Sequence, residues 1–369
     1  MIDFEQEILA PESSIKELCC MESSYTSLAE KDNYFKSIKV DTIEEFDAMI
    51  THCQSCKELA FRGVKEAKFR LQTSSQIAYK IKCEKLSCNP SKKGYQDFII
   101  SALTQIKKST RMERILKSQE LPINDFLYFA LLQHYGYLSP LLDFSYNLQS
   151  GLFFMLDGLM MSKKTDTKND INNYCSLYII NYTDPEFGSI QNVNDLGAQR
   201  ADDLVVEALA KGYKIDGLSE QAENDFRKLP YDTYKDAYYF GVQGSFLGTT
   251  KAEIPSLGFT AEYNIDNPRI SAQAGMFIFI GDAFKSLEYS VNEQSAVRHI
   301  TAINVNKNLA PLIKEKYLKD VKRTDIYPKD KISHRIVCAL RSTCRLYSMD
   351  FYKSNMSWMQ YWKWKIKNL

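Results

Sequence analysis

Along the chain, hydrophobic and polar positions alternate between two periods, and the switches between them divide the sequence into elements. Thr42 and Glu45 form a capping box opening a helix from Ile43 to about His52. Glu58, Leu59, Ala60 and Phe61 then read as a short strand ending at Gly63, which puts Arg62 at a strand end. Asn124 or Asp125 can cap an apolar helix through Phe126, Leu127, Ala130 and Leu131, and Gly136 stops it. A further helix is expected from about Ser145, its N-cap, with Leu148, Leu152, Met155 and Leu159 at helical spacing; Asp143 would then stand beside a helix N-terminus.

Later segments are mostly strand-like. Leu177 to Ile180 and Ile300 to Val305 read as strands, and the unbroken apolar run Gly275 to Ile280 has the signature of a strand buried on both faces, with Arg269 and Gln273 at its entrance. Helices are expected over Leu309 to Leu318 and His334 to Tyr347, and one around Ala201 to Lys211; Lys163 to Asn173 is a polar surface loop. Together these predict an α+β fold: one large mixed α/β domain over residues 42–330, with a central sheet flanked by helices and an excursion at 183–250. A helical N-terminal extension (1–41) precedes it, and a C-terminal helix and basic aromatic tail (331–369) follow.

Composition narrows the function. The 369 residues are 44% apolar with a net charge of +1, enough for a core and without the global basic field that attracts nucleic acid. The longest apolar stretch, Gly151 to Met161, is interrupted by Asp157 and falls short of the roughly 20 residues of a membrane helix. The acidic start lacks the basic and apolar regions of a secretory signal, so no membrane span and a cytoplasmic location are expected. Nine cysteines, an odd number in a chain too large to need staples, are expected as reduced thiols. Cys53-x-x-Cys56 with Cys83 and Cys88 has poor spacing for zinc, and no metal is expected. The tail holding Trp358, Trp362 and Trp364 could meet nucleic acid or a membrane surface, but aromatics at a chain end are expected to dock on the domain with their lysines solvated.

Three segments place polar residues where a plain core needs none: Phe61-Arg62-Gly63; Gln133-His134-Tyr135-Gly136 leading through Leu141-Leu142-Asp143-Phe144-Ser145 to an apolar helix; and Asn267-Pro268-Arg269 followed by Gln273-Ala274-Gly275-Met276-Phe277. In this order they resemble the FRG domain, a bacterial and phage family named for its Phe-Arg-Gly motif, and Ile326-Tyr327-Pro328 fits the family's closing segment. The chain departs from the family at Ser139-Pro140, where Thr-Arg is usual. Occurrence of family members among phage-related genes implies a phage-defence or mobile-element setting.

A weaker resemblance is to ADP-ribosyltransferases, in the order Arg62, Ser145, Gln273. It implies NAD as substrate, with Arg62 holding the phosphates and a carboxylate stabilising positive charge as nicotinamide leaves. Gly275 stands where that family's glutamate would be, so Asp143 or Glu262 would have to supply the acid. A strand-end arginine, a capped helix start and a polar strand entry often converge on a phosphate-bearing ligand. The expected site therefore has Asp143, His134 and Gln273 in catalytic or orienting roles and Arg62, Gly63, Gln133, Tyr135, Ser145 and Arg269 around a nucleotide-type ligand. Three functions stay open: an ADP-ribosyltransferase-like effector, a non-catalytic nucleotide- or partner-sensing module, and a scaffold meeting a protein partner through the N-terminal extension. Against each stands a structural reading, in which Arg62 and Asp143 are an ion pair, His134 caps a helix and Gln273 bonds a strand edge.

Overall fold

A computed structural model describes residues 24–56, 59–118, 125–159, 170–181, 244–245, 251–256, 259–262, 272–280, 283–292, 298–328 and 331–343. Its strands are β1 (Lys36–Val40), β2 (Leu59–Val64), β3 (Leu141–Ser145), β4 (Tyr174–Asn181), β5 (Gly244–Ser245), β6 (Lys251–Ser256), β7 (Phe259–Glu262), β8 (Gly275–Phe279) and β9 (Ile300–Asn306). Seven form one sheet in the order β1-β9-β4-β2-β3-β8-β5, while β6 and β7 pair separately. Only β1 with β9 is parallel; the other neighbours run antiparallel. The fold is therefore α+β with a mixed central sheet, as the periodicities predict.

The helices are α1 (Leu28–Asp32), α2 (Ile43–Ser55), α3 (Ser74–Leu86), α4 (Lys92–Lys107), α5 (Thr110–Lys117), α6 (Asp125–His134), α7 (Leu148–Leu156), α8 (Leu287–Asn292), α9 (Ala310–Tyr317), α10 (Arg323–Ile326) and α11 (Lys331–Thr343). Alternation along the strands distributes them over the faces. Leu177 and Ile179 of β4 join Phe61, Ile303 and Val305 against α2, α7 and α9. Their neighbours Tyr178 and Ile180 turn the other way, with Ala60, Leu142, Phe144 and Ile278, onto Tyr25, Leu28 and Phe35. Leu141 and Phe277 enter a third cluster built by α3 to α6 and α11. The described part of the N-terminal extension thus packs in the second of these clusters and the C-terminal helix α11 in the third, each together with strands of the central sheet.

The capping box at Thr42 is present, with Glu45 N–H donating to Thr42 Oγ1 at 3.2 Å and Thr42 N–H to Glu45 Oε2 at 3.1 Å. The expected helix from Ser145 is corrected. Leu141 to Ser145 form a strand paired with β8, because Leu142 and Phe144 bury on one face and Leu141 on the other, a period of two. The helix starts three residues later, capped by Asn147, whose Oδ1 accepts from Gln149 N–H at 2.8 Å. Asp143 accordingly lies inside a strand, opposite Phe277, and not beside a helix N-terminus. Helices α3 to α5 escaped the periodic reading; in α3 the buried face includes Ser75 and Gln76, which mask its apolar stripe. Arg269, the helix expected at 201–211 and the tail from Ser357 lie outside the described residues. Among the described residues, no helix is long and apolar enough to cross a membrane.

A buried cation ties the extension to the sheet. Lys31 on α1 is fully buried; its Nζ donates to Ala67 O at 3.0 Å, Ser176 Oγ at 2.7 Å and Asn304 Oδ1 at 2.7 Å, and lies over the Tyr178 ring at 4.7 Å. Burial lowers its pKa to about 7 from 10.5, only partly opposed by Glu288. Between those values the folded chain binds fewer protons here than the unfolded one, so this residue's contribution to stability rises with pH and falls as pH drops toward 7. Denaturant titrations at about pH 7 and pH 9 should show wild type gaining up to roughly 2–3 kcal/mol relative to Lys31→Met. Parallel pH curves for the two proteins would refute it.

Candidate functional site

The central strands β2 and β3 pair at a single position, Phe61 with Ser145, while each pairs along its length with its other neighbour. Beyond Phe61 the ladder is replaced by a side chain. Arg62 Nη1 donates to the Asp143 main-chain oxygen at 2.6 Å and to Asp143 Oδ1 at 2.5 Å. Arg62 is the fourth of six residues in β2, so it lies inside the strand and not at its end as predicted. The guanidinium spans the seam where two half-sheets part.

Asp143 has a second donor. Gln133 Nε2 reaches its Oδ1 at 2.8 Å from the last turn of α6. That turn is fixed by Gly136, whose φ of 78° lets Tyr137 N–H return to Leu132 O at 2.8 Å and close a Schellman motif. His134 sets its ring edge-on to Phe277, the strand partner of Asp143, with centroids 5.1 Å apart. Burial pushes the Asp143 carboxyl up, but Arg62, by charge and hydrogen bond, and then His134 outweigh it and hold the group below its ordinary 3.8. Asp143 is therefore an ionised acceptor at neutral pH. Solvent still reaches the pair: the side chains keep 20% and 31% of their exposure. Arg62 Nε is buried and has no hydrogen-bond partner among the described residues.

The other predicted residues have defined places. A Cβ on Gly63 would fall 2.0 Å from Gly151 O and 2.3 Å from Met155 N, so the missing side chain lets α7 lie directly on β2. Gly151 answers it, since a Cβ there would come within 2.8 Å of Phe61 Cβ. The Tyr135 hydroxyl donates to Ser333 Oγ of α11 at 2.9 Å. The Ser145 hydroxyl donates to Gln273 O at 2.6 Å and accepts from Asn147 N–H at 2.9 Å. Gln273 is buried, and its Nε2 donates to Ile326 O at 3.1 Å. Next to it, Ala274 takes a positive φ of 44°, a conformation rare for a residue with a Cβ, at the entry to β8.

The structure thus joins Arg62, Asp143 and Gln133 directly and sets His134 beside them. Ser145 and Gln273 meet each other one pairing position from Arg62, with their polar groups committed to main-chain partners. Glu262 sits on β7, in the separate two-stranded sheet. Gly151 was the residue the motif reading missed; its signal was a glycine inside an apolar helix, where only a close approach justifies it. Among the described residues, no group of three or more histidine, cysteine, aspartate or glutamate side chains could hold a metal ion.

Gly63→Ala should destabilise the fold by about 1–3 kcal/mol or more, because the added methyl meets helix backbone that cannot turn aside; a denaturation midpoint equal to wild type would contradict the close approach. Arg62→Ala should cost about 1.5–3 kcal/mol through loss of a charge-assisted bond. In an Asp143→Asn background that loss should shrink, and a double-mutant cycle with no coupling would rule out the bridge as the source.

The described geometry of β2 through α7 coincides with the result of comparison with known families: residues 57–164 match the model of the FRG domain. The match holds Arg62, Gly63, Gln133 to Gly136, Asp143 and Ser145, and leaves Arg269 and Gln273 outside it. No curated protein and no solved structure matches the chain. The seam, its bridging arginine and the glycine beneath α7 therefore lie within the segment, residues 57–164, that matches the FRG-domain model.

Proposed function

We propose that this FRG domain is a binding module for a nucleotide-type ligand, bound at the seam between β2 and β3 with Arg62 meeting the phosphate. The observation that carries the reading is the Arg62–Asp143 pair itself: a guanidinium held in one orientation, open to solvent on part of its surface, where the sheet parts. A preset planar cation is suited to a phosphate because its forked donors match the oxygens and little side-chain freedom remains to be lost on binding. The carboxylate that presets it also competes with the ligand. Binding therefore requires the phosphate to share or displace one of two short bonds, which favours multiply charged ligands over singly charged ones.

A second reading, an ADP-ribosyltransferase-like effector, draws on one further feature. Asp143 is ionised and lies beside Arg62, so a carboxylate is at hand to stabilise positive charge on a ribose as nicotinamide departs. Two features favour binding without turnover. The hydroxyl of Ser145 and the carboxamide of Gln273 already serve main-chain groups, and Gly275 offers no acid at the strand entry.

Titration calorimetry of the full chain with NAD, ADP, ATP and pyrophosphate should detect binding of at least one, with affinity falling at least tenfold in Arg62→Ala and, less steeply, on raising salt. Binding with no nicotinamide release supports the module; release of nicotinamide from NAD that depends on Asp143 supports the enzyme. If none of the four binds, or Arg62→Ala binds equally well, the seam is not a phosphate site.

A further inference from the structure

Helix α3 ends in a turn that folds the chain back over its own last residues. Ser87 takes a left-handed conformation (φ 52°, ψ 40°), and Cys88 N–H donates to Cys83 O at 3.1 Å. This is the six-to-one hydrogen bond of a Schellman motif, a turn in which the side chains at those two positions come into contact. In most helices the contact is between two apolar groups. Here both are cysteines, and the side chain of Cys88 hydrogen-bonds to the Cys83 thiol. Cys83 is buried in the cluster of α3 to α6, and Cys88 is exposed.

We propose that Cys83 and Cys88 are a redox-active thiol pair that closes to an intramolecular disulfide across the C-terminal turn of α3, with a small disulfide of the glutathione type as oxidant. The exposed Cys88, as thiolate, attacks one sulfur of the oxidant; its S–S bond breaks, one glutathione thiolate leaves, and a mixed disulfide remains on Cys88. Cys83 then loses its proton and attacks Cys88 Sγ, forming the internal S–S bond and expelling the second glutathione thiolate. The two cysteines together give up two electrons and two protons, and the oxidant becomes two thiols. Backbone placement supplies the proximity a disulfide needs, and the exposed partner supplies the access.

The other described thiols are placed differently. Cys53 is buried against Met49 Sδ at 3.7 Å, Cys175 donates to Val305 O at 3.4 Å, and Cys56 and Cys338 each lie near a histidine one helical turn away. Burial, with the Cys88 contact adding to it, holds the Cys83 thiol up at about 11, so the closing step is slow at neutral pH and quickens as pH rises toward that value. The pair also bears on the seam. The opposite end of α3 holds the chain entering β3, with Ser75 N–H donating to Ser139 O at 3.2 Å and Ser139 N–H to Ser74 Oγ at 3.0 Å. Oxidation would stiffen the helix that steadies the strand carrying Asp143.

The full chain, incubated with glutathione disulfide, alkylated under denaturing conditions and mapped by peptide mass spectrometry, should yield a Cys83–Cys88 cross-link short of two hydrogens. The cross-link should be reversed by dithiothreitol and form faster at about pH 9 than at about pH 7. Cys83→Ser should instead accumulate glutathione on Cys88, and Cys88→Ser, a change at an exposed position, should leave Cys83 unmodified. A mixed disulfide that persists on Cys88 of the unsubstituted protein, a bond from either residue to another cysteine, or no reaction at either would each overturn the proposal.

Discussion

The fold depends on one narrow joint, the single pairing of Phe61 with Ser145 that links the half-sheet β1-β9-β4-β2 to the half-sheet β3-β8-β5. A sheet held across its centre by so short a ladder would be weak without a substitute for the missing main-chain bonds. Arg62 is that substitute, bonding both the carbonyl and the carboxylate of Asp143. Charge-assisted bonds are roughly twice as strong as neutral ones, so one guanidinium replaces much of what the ladder lacks. Helix α7 supplies the second tie: it follows β3 in sequence but lies on β2, at a distance that only Gly63 and Gly151 allow.

The same joint explains why structure and chemistry coincide there. Strands that part leave a gap, and a charged side chain is better suited than an apolar one to fill a gap that water reaches. A cation at a parting of strands, held by an ionised acid that a carboxamide in turn steadies, is a brace, and under the proposed reading it would also be a receptor for an anion. The two roles oppose each other, because a ligand that draws Arg62 from Asp143 loosens the brace. Under that reading, binding at this seam would be linked to the relation between the half-sheets, and an occupied site and an empty one would differ in how firmly those halves are joined.

Lys31 shows the same logic in a sealed setting. Its ammonium is fully buried among three neutral oxygen acceptors and two aromatic rings, with Glu288 acting from farther off. The N-terminal extension is thereby fastened to β4 and β9 by a group whose charge is costly to bury. Arg62 keeps contact with water and an ionised partner; Lys31 has neither, and its lowered pKa records the difference. One cation thus stands at a seam that solvent reaches and the other in a sealed interior.

The sequence by itself determined the α+β class, the strands at Leu177, Gly275 and Ile300, the capping box at Thr42 and the end of α6 at Gly136, since each follows from side-chain periodicity or from backbone chemistry confined to a few neighbouring residues. The order of the Phe-Arg-Gly, Gln-His-Tyr-Gly and Leu-Leu-Asp segments also pointed to one site. Tertiary structure alone decided what the segments do. Leu141 to Ser145 became a strand because β8 offered a partner, and a five-residue run is too short for its own period to outweigh that pairing. Gly63 was read as room for another backbone or a ligand, and it is the backbone of α7 that comes close, a contact between residues 63 and 151 that no local pattern encodes. For Gln273 and Ser145 the sequence left a ligand role and a structural one open, and the structure shows each hydrogen-bonded to main-chain groups. A sequence shows which side chains can donate and accept hydrogen bonds, but which partner each one meets is fixed only when distant strands and helices are brought together.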